Sequence, residues 1–152
     1  MRKVLKGILL VTCVVFGMTL MAQASTLEEA KALAEKGAAY VKANGKDKAI
    51  AEFNKPDGEF VKGDLYVFLQ DFSGLMLANG GNPKLPGQNH LELKDPTGKL
   101  FVKEMIELAK SKGSGWVEYS WTNPSVKKVQ PKKTWVQRVE GMDMYVGCGI
   151  FQ

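Results

Sequence analysis

Apolar residues recur every three or four positions through "STLEEAKALAEKGAAYVKANG", from Ser25 to Gly45. Leu27, Ala30, Leu33 or Ala34, Ala38 and Val41 then share one face, which predicts an amphipathic helix. Ser25 or Thr26 can cap it, Glu28 and Glu29 suit its first turn, and Asn44-Gly45 is a stop signal. "KDKAIAEFN" repeats the pattern over a shorter span, with Ala49, Ile50 and Phe53 on one side, and "KPDGEF" reads as a turn. "DLYVFLQD" is a dense apolar run of β type. "FSGLMLAN" follows it across the turn D-F-S-G, so the two predict a hairpin.

Residues 79–98, "NGGNPKLPGQNHLELKDPTG", concentrate turn formers. They predict a long connection with a short helical turn at Asn89–Leu93, and long connections inside compact domains are often functional. Asp95-Pro96 with Thr97 is expected to start the helix "GKLFVKEMIELAKSKG". Its apolar face is Leu100, Phe101, Met105, Ile106 or Leu108, and Ala109, and Gly113 ends it. Three strands close the chain, "GWVEYSW", "VQPKKTWVQRV" and "DMYVGCGIF", joined by short links that imply antiparallel hairpins. The order predicts an α+β fold. It has one antiparallel, five- to six-stranded sheet, a crossover helix on its face and a long N-terminal helix packed beside it.

Residues 1–24 do not join this pattern. Arg2, Lys3 and Lys6 precede an apolar run from Ile8 to Met21, and "AQA" ends the segment. This predicts a secretory signal peptide cleaved after Ala24. The run is short for a membrane span of about 20 residues, which argues against a retained anchor. Thr12 before Cys13 does not fit a lipoprotein signal. Residues 25–152 are then one domain, placed in the periplasm or secreted. The formal net charge of +5 shrinks with the signal: without its three basic residues, 18 Lys+Arg face 16 Asp+Glu. A balance of +2 in an exported protein removes the support for nucleic-acid binding. Cys13 also leaves, so Cys148 has no partner for an intrachain disulfide. In "YVGCGIF" it reads as a buried structural thiol.

Strand alternation sorts the candidate chemistry. Trp116, Glu118 and Ser120 fall on one face, and Val117, Tyr119 and Trp121 on the other. Tyr119 and Trp121 carry polar tips that need partners when buried, so they line either a core or a cavity. Tyr66 and Phe68 share one face of the first long strand, with the same two readings. Lys132 and Lys133 point to opposite faces, and Arg138 shares the face of Lys132. A lysine turned inward is costly unless it meets an anion. Lys127, Lys128 and Lys133 read as solubilising charges. His90, the one histidine, lies where the long connection could lid a cavity, but it reads first as a surface or helix-capping residue. With Glu92 and Asp95 it makes no regular metal-ligand spacing, so neither metal nor cofactor is expected. No nucleophile has an adjacent base and no glycine-rich phosphate loop follows a strand, so the chain does not read as an enzyme.

The ordered words "AIAEFN…GEFVKGDLYVFLQDFSGLMLANG", "LELKDPTGKLFVKEMIELAKSKGSGWVEYSWTNP", "PKKTWV" and "VGCGIF" resemble the single Cache domain of type 2. These are PAS-like extracytoplasmic sensor domains of bacterial chemoreceptors and kinases, and the resemblance covers nearly all of residues 25–152. It implies a PAS-like Cache fold and a ligand cavity faced by the aromatic pair of "Y-x-W", here Tyr119 and Trp121. The match of "PKKTWV" to the family's Pro-Lys-x-Ser-Tyr pattern selects Lys132. Two departures stand out. Many members carry a His-Pro pair after the second strand, where this chain reads "ANGGNP". Receptors of the family also continue into a second membrane span, whereas this sequence stops at Gln152 and is expected not to signal across a membrane alone.

The resulting expectation is an exported binding module for a small organic acid, such as a short monocarboxylate. Lys132 would meet the carboxylate, and Tyr66, Phe68, Tyr119 and Trp121 would form the walls, with His90 and Arg138 as further candidates. The alternative is a ligand-free interaction or accessory subunit. The partners in view are a membrane receptor or histidine kinase and, as a homodimer, a second copy of the chain.

Overall fold

The first helix begins where its cap pattern places it. Thr26 accepts from the backbone N–H of Glu29 at 3.2 Å, and the Glu29 carboxylate accepts from the Thr26 N–H at 3.0 Å. This reciprocal capping box satisfies donors that a helix start otherwise leaves open. The computed structural model describes residues 25–152, so the signal peptide, its cleavage site and Cys13 lie outside the described residues. Helix α1 (Leu27–Asn44) is followed by α2 (Lys46–Phe53), β1 (Val61–Lys62), β2 (Leu65–Asp71) and β3 (Met76–Asn79). After the long connection come α3 (Phe101–Ser111), β4 (Ser114–Asn123), β5 (Lys128–Arg138) and β6 (Met144–Phe151).

The strands form one antiparallel six-stranded sheet in the order β1-β2-β6-β5-β4. Strand β3 pairs with the outer edge of β2 beyond β1, through Phe68↔Asn79 and Leu69↔Ala78. The predicted α+β architecture is therefore present, with the two-residue β1 as the sixth strand. Pairing of β2 with β6 brings the first and last long strands together at the centre, with Phe68 opposite Gly147 and Gln70 opposite Tyr145.

Period-2 alternation divides the sheet into two faces. On one, Leu65, Val67, Leu69, Val146 and Cys148 pack against Ala30, Ala34, Ala38 and Val41 of α1 and against Phe53 of α2. The small residues let α1 lie close to the strands. Phe53 and Phe60 meet edge to face with ring centroids 4.5 Å apart, and each is fully buried. Burial of such a ring is worth about 1.5–3 kcal/mol. Cys148 is buried here as a free thiol, and burial pushes its pKa up to about 12. On the other face, Val117, Tyr119, Val136 and Tyr145 pack under Phe101, Val102, Met105 and Ala109 of α3. This is the predicted crossover helix.

Two local expectations are corrected. The helical turn expected at Asn89–Leu93 is instead an isolated bridge, Leu75↔Asn89, followed by a turn in which Leu93 donates to the His90 carbonyl at 3.0 Å. Backbone pairing to β3's hairpin competes there with helix formation. Asp95 does not start α3, which begins at Phe101 after Leu100. Its Oδ1 accepts from the N–H groups of Thr97 and Lys99 and from the Thr97 hydroxyl, while Oδ2 accepts from the Ser120 N–H at 2.9 Å. The carboxylate ties the end of the long connection to β4 rather than capping a helix. These hydrogen bonds, the Thr97 hydroxyl foremost, hold its pKa down to about 2.

Candidate functional site

Lys132 occupies the middle of three strands on the α3 side. Its register partners are Tyr119 on β4 and Phe151 on β6. Alternation turns it inward with Thr134 and Val136, and only 2% of it is exposed. Its Nζ donates to the Tyr66 hydroxyl at 2.7 Å and lies 4.2 Å from the Tyr66 ring centre and 4.6 Å from that of Phe151. Among the described residues no Asp or Glu pairs with it; the neighbouring ionisable groups are Tyr66, Tyr119, Cys148 and, more distantly, Asp64. Burial pushes its ammonium pKa down. Lys133, on the opposite face, pairs with Glu118 at 2.8 Å.

Burial raises the Tyr66 phenol. With Lys132 donating to its oxygen, the Tyr66 O–H remains as a donor of its own. Tyr119, raised by burial as well, lies 3.2 Å from the Thr134 hydroxyl and stacks flat on Phe101 at 4.4 Å. Trp121 stands edge-on to the same Phe101 ring at 5.5 Å. Trp116 and Trp135 face the other side of the sheet, packed on each other at 5.2 Å. Of the three tryptophans, Trp121 alone borders the site.

These groups surround a cavity of about 20 Å³ between the sheet, α3 and the long connection. Such a space has room for a water or two, so any larger guest must push its walls outward. Met76 and Met105 line it, and their unbranched side chains can make that adjustment. Two glycines set its shape. A side-chain carbon at Gly81 would lie 2.6 Å from the Tyr66 ring, so glycine lets the long connection close over that ring. A side-chain carbon at Gly147 would collide with the Phe68 ring, which lies across β6 at that point.

The cavity brings together Tyr66, Phe68, Tyr119, Trp121, His90 and Lys132. His90 is 5% exposed, bonded through Nε2 to the Gln88 carboxamide at 3.3 Å, and burial lowers its pKa. A surface or helix-capping role for it is thereby corrected. Arg138 is not brought in. It shares the face of Lys132 but stands six residues along β5, roughly 20 Å away. There its guanidinium lies 5.3 Å from the Phe72 ring centre and 3.9 Å from Asp143. Glu92 pairs with Lys103 at 2.6 Å and Asp95 serves its turn, so His90, Glu92 and Asp95 do not converge.

Sequence reasoning did not single out Gln70 and Asn79, which are 1% and 4% exposed and line the same cavity. Gln70 donates to the Gly74 carbonyl at 2.8 Å and accepts from the Tyr145 hydroxyl at 2.7 Å. Its inward register with Tyr66 and Phe68 was the available signal. The α3 residues Phe101 and Met105 belonged to the predicted apolar face but carried no sign of bordering a cavity.

Comparison with known proteins gives a consistent family. The sequence pattern of the single Cache domain 2 matches residues 16–152. Over 88 residues the chain is 28% identical to the methyl-accepting chemotaxis protein McpP of Pseudomonas putida and 31% identical to the sensor histidine kinase MctS of Rhizobium johnstonii. Each match covers 58% of this chain but only 16% and 19% of the relatives, so the chain spans a small part of their length. A solved Cache chemosensory domain, described for its carboxylic acid recognition, superimposes with a TM-score of 0.65 at 27% identity. That match covers 82% of this chain and 86% of that one. No helix among the described residues is long and apolar enough to cross a membrane.

Proposed function

The chain belongs to the single Cache domain 2 family, and from that premise we propose that its sheet-side cavity senses a short monocarboxylate outside the cytoplasm. The observation that carries this reading is Lys132, a buried ammonium with a phenol and no carboxylate beside it. An unpaired charge so placed is expensive, and an anionic guest would supply the missing partner through a charge-assisted hydrogen bond. The Tyr66 O–H is a second donor at the same point. Tyr119, Trp121 and Phe68 give apolar walls for a short carbon chain, and the small cavity favours acids of two or three carbons over larger ones. The likeness to a domain that recognises carboxylic acids supports the same class of guest.

On this reading the domain is a sensor rather than a catalyst, and it hands its ligand state to a membrane receptor or sensor kinase. The names of the two curated relatives support that partner class. The charged n-region, apolar run and Ala-x-Ala pattern of residues 1–24 support export.

A thermal-shift screen of short monocarboxylates, dicarboxylates, amines and amino acids tests the proposal. A guest at a hundred times its dissociation constant stabilises by about 2.7 kcal/mol, a rise on the order of 10 °C in a domain of this size. The rise is expected for short monocarboxylates and is expected to vanish in Lys132→Ala. A screen in which only amines or amino acids raise the melting temperature contradicts the reading.

A further inference from the structure

We propose that the tip of the β4–β5 hairpin is a contact surface for an anionic lipid bilayer. Among the described residues three large apolar side chains are well exposed, Leu93 and, at this tip, Val126 at 51% and Val129 at 55%. Lys127 and Lys128 lie between the two valines. Among the described residues neither lysine has an Asp or Glu within ion-pair distance, and the run from Thr122 to Trp135 holds no acidic residue. Apolar side chains beside unpaired cations suit the surface of an anionic membrane. The ammonium groups meet lipid phosphates while the methyl groups settle at the headgroup boundary. Solubilising charge alone accounts for the lysines but not for the two bare valines beside them.

The tip is both projected and fixed. Strand β6 ends at Phe151 opposite Lys132, and beyond that row β4 and β5 continue as a two-stranded ribbon, from Ser120↔Pro131 to Asn123↔Lys128. The ribbon reaches roughly 13 Å past the end of β6. Asn123 orders the turn. Its carbonyl accepts from the Lys127 N–H at 2.7 Å, its Oδ1 accepts from the Ser125 N–H at 2.9 Å, and its Nδ2 donates to the Gln130 carboxamide at 2.7 Å. Lys127 has a φ of 55°, and among the described residues it is the one non-glycine residue in the left-handed region. That region favours glycine, so a lysine kept there is a feature to explain. The same end of the sheet receives both ends of the described chain. The Gln152 N–H donates to the Pro131 carbonyl at 2.9 Å, and the Ser25 hydroxyl donates to the Asp64 carboxylate just before β2. Residues 1–24, which carry the apolar run, precede Ser25 and so connect at the end toward which the tip points. Two carboxylates toward this end are engaged, Asp64 by Ser25 and Glu118 by Lys133 at 2.8 Å.

Co-sedimentation of the exported protein with vesicles at millimolar lipid tests this. Wild type is expected to bind vesicles of equal parts phosphatidylglycerol and phosphatidylcholine about 20-fold more strongly than vesicles of phosphatidylcholine alone. Lys127→Glu with Lys128→Glu is expected to weaken binding to the anionic vesicles about 30-fold or more, at about 5-fold for each cation removed. Val126→Thr with Val129→Thr is expected to weaken it about 10-fold, at roughly 4-fold for each methyl group withdrawn from lipid. Lys46→Glu with Lys48→Glu is the control. These lysines are exposed at the start of α2, beyond the end of α1 opposite Ser25, and among the described residues they have no carboxylate partner. The control changes the net charge as much as the tip pair does, yet it is expected to bind within about 2-fold of wild type, because charges far from the contact are screened. Every substituted side chain is exposed, so the melting temperatures are expected to match wild type. Equal binding of wild type to the two kinds of vesicle, or binding to neither, overturns the proposal. So does anionic binding that survives both tip variants, and so does an equal loss in the tip and α2 lysine pairs, which would make the attraction one of net charge.

Discussion

The Lys132 ammonium and the Tyr66 hydroxyl are joined at 2.7 Å across 66 positions of sequence, and neither residue exposes more than 5% of its surface. The contact links β5 to β2 across the intervening β6, over the sheet face that α3 covers. A phenol is a weak partner for a buried cation: it supplies one acceptor and no charge. On the proposed reading, the bound state adds the anion that this pair lacks.

Replacing the cation exposes that trade. Lys132→Met keeps an unbranched chain of similar reach and removes the buried charge. The variant is expected to be more stable than wild type without ligand, by roughly 1–3 kcal/mol, and to lose carboxylate affinity by about 100-fold or more. Urea denaturation and calorimetry read the two effects. A variant less stable than wild type would show that Lys132 is a structural strut.

The Phe68 ring depends on the glycine beneath it. Gly147→Ala places a methyl group where that ring now lies. The ring must shift toward the cavity, at a cost of about 1–3 kcal/mol, and acid binding weakens with it. Unchanged stability and affinity in this variant would mean that Phe68 does not depend on Gly147 for its place.

Asp95 gives a pH-dependent prediction. Its folded pKa, about 2, lies below the ordinary 3.8. A depressed carboxylate contributes fully above its unfolded pKa and loses that contribution as pH falls toward the folded one. The melting-temperature gap between wild type and Asp95→Asn is thus expected to be widest near neutral pH and to close between about pH 4 and pH 2. Comparison with the variant matters because Glu29, Glu118 and Glu140 are also held low by partners. A gap that stays constant with pH contradicts the assignment.

Much of this was legible from one-dimensional pattern. Alternation placed Tyr119 and Trp121 on one face of β4 and separated Lys132 from Lys133, because the period of a strand is fixed by its pleat. Helical spacing gave the buried face of α1 and the crossover role of α3. The same alternation could not exclude Arg138, since it assigns a face but not a position along the strand. His90 illustrates a different limit. Its burial follows from how the long connection folds back on the β2–β3 hairpin, through Asn89↔Leu75 and the His90 N–H bonded to the Gly74 carbonyl at 2.8 Å. Local sequence carries no record of that tertiary pairing. Asn79 was hidden for the same reason: Asn-Gly-Gly reads as a turn, which it is, while its place on the cavity wall depends on the pairing of β3 with β2.

The most direct test is a crystal structure of residues 25–152 grown with propionate. The account predicts the acid between the sheet and α3, with one carboxylate oxygen about 2.7–2.9 Å from Lys132 Nζ and hydrogen-bonded to the Tyr66 hydroxyl. Propionate seated elsewhere, or in this cavity with its carboxylate turned away from Lys132, would contradict it.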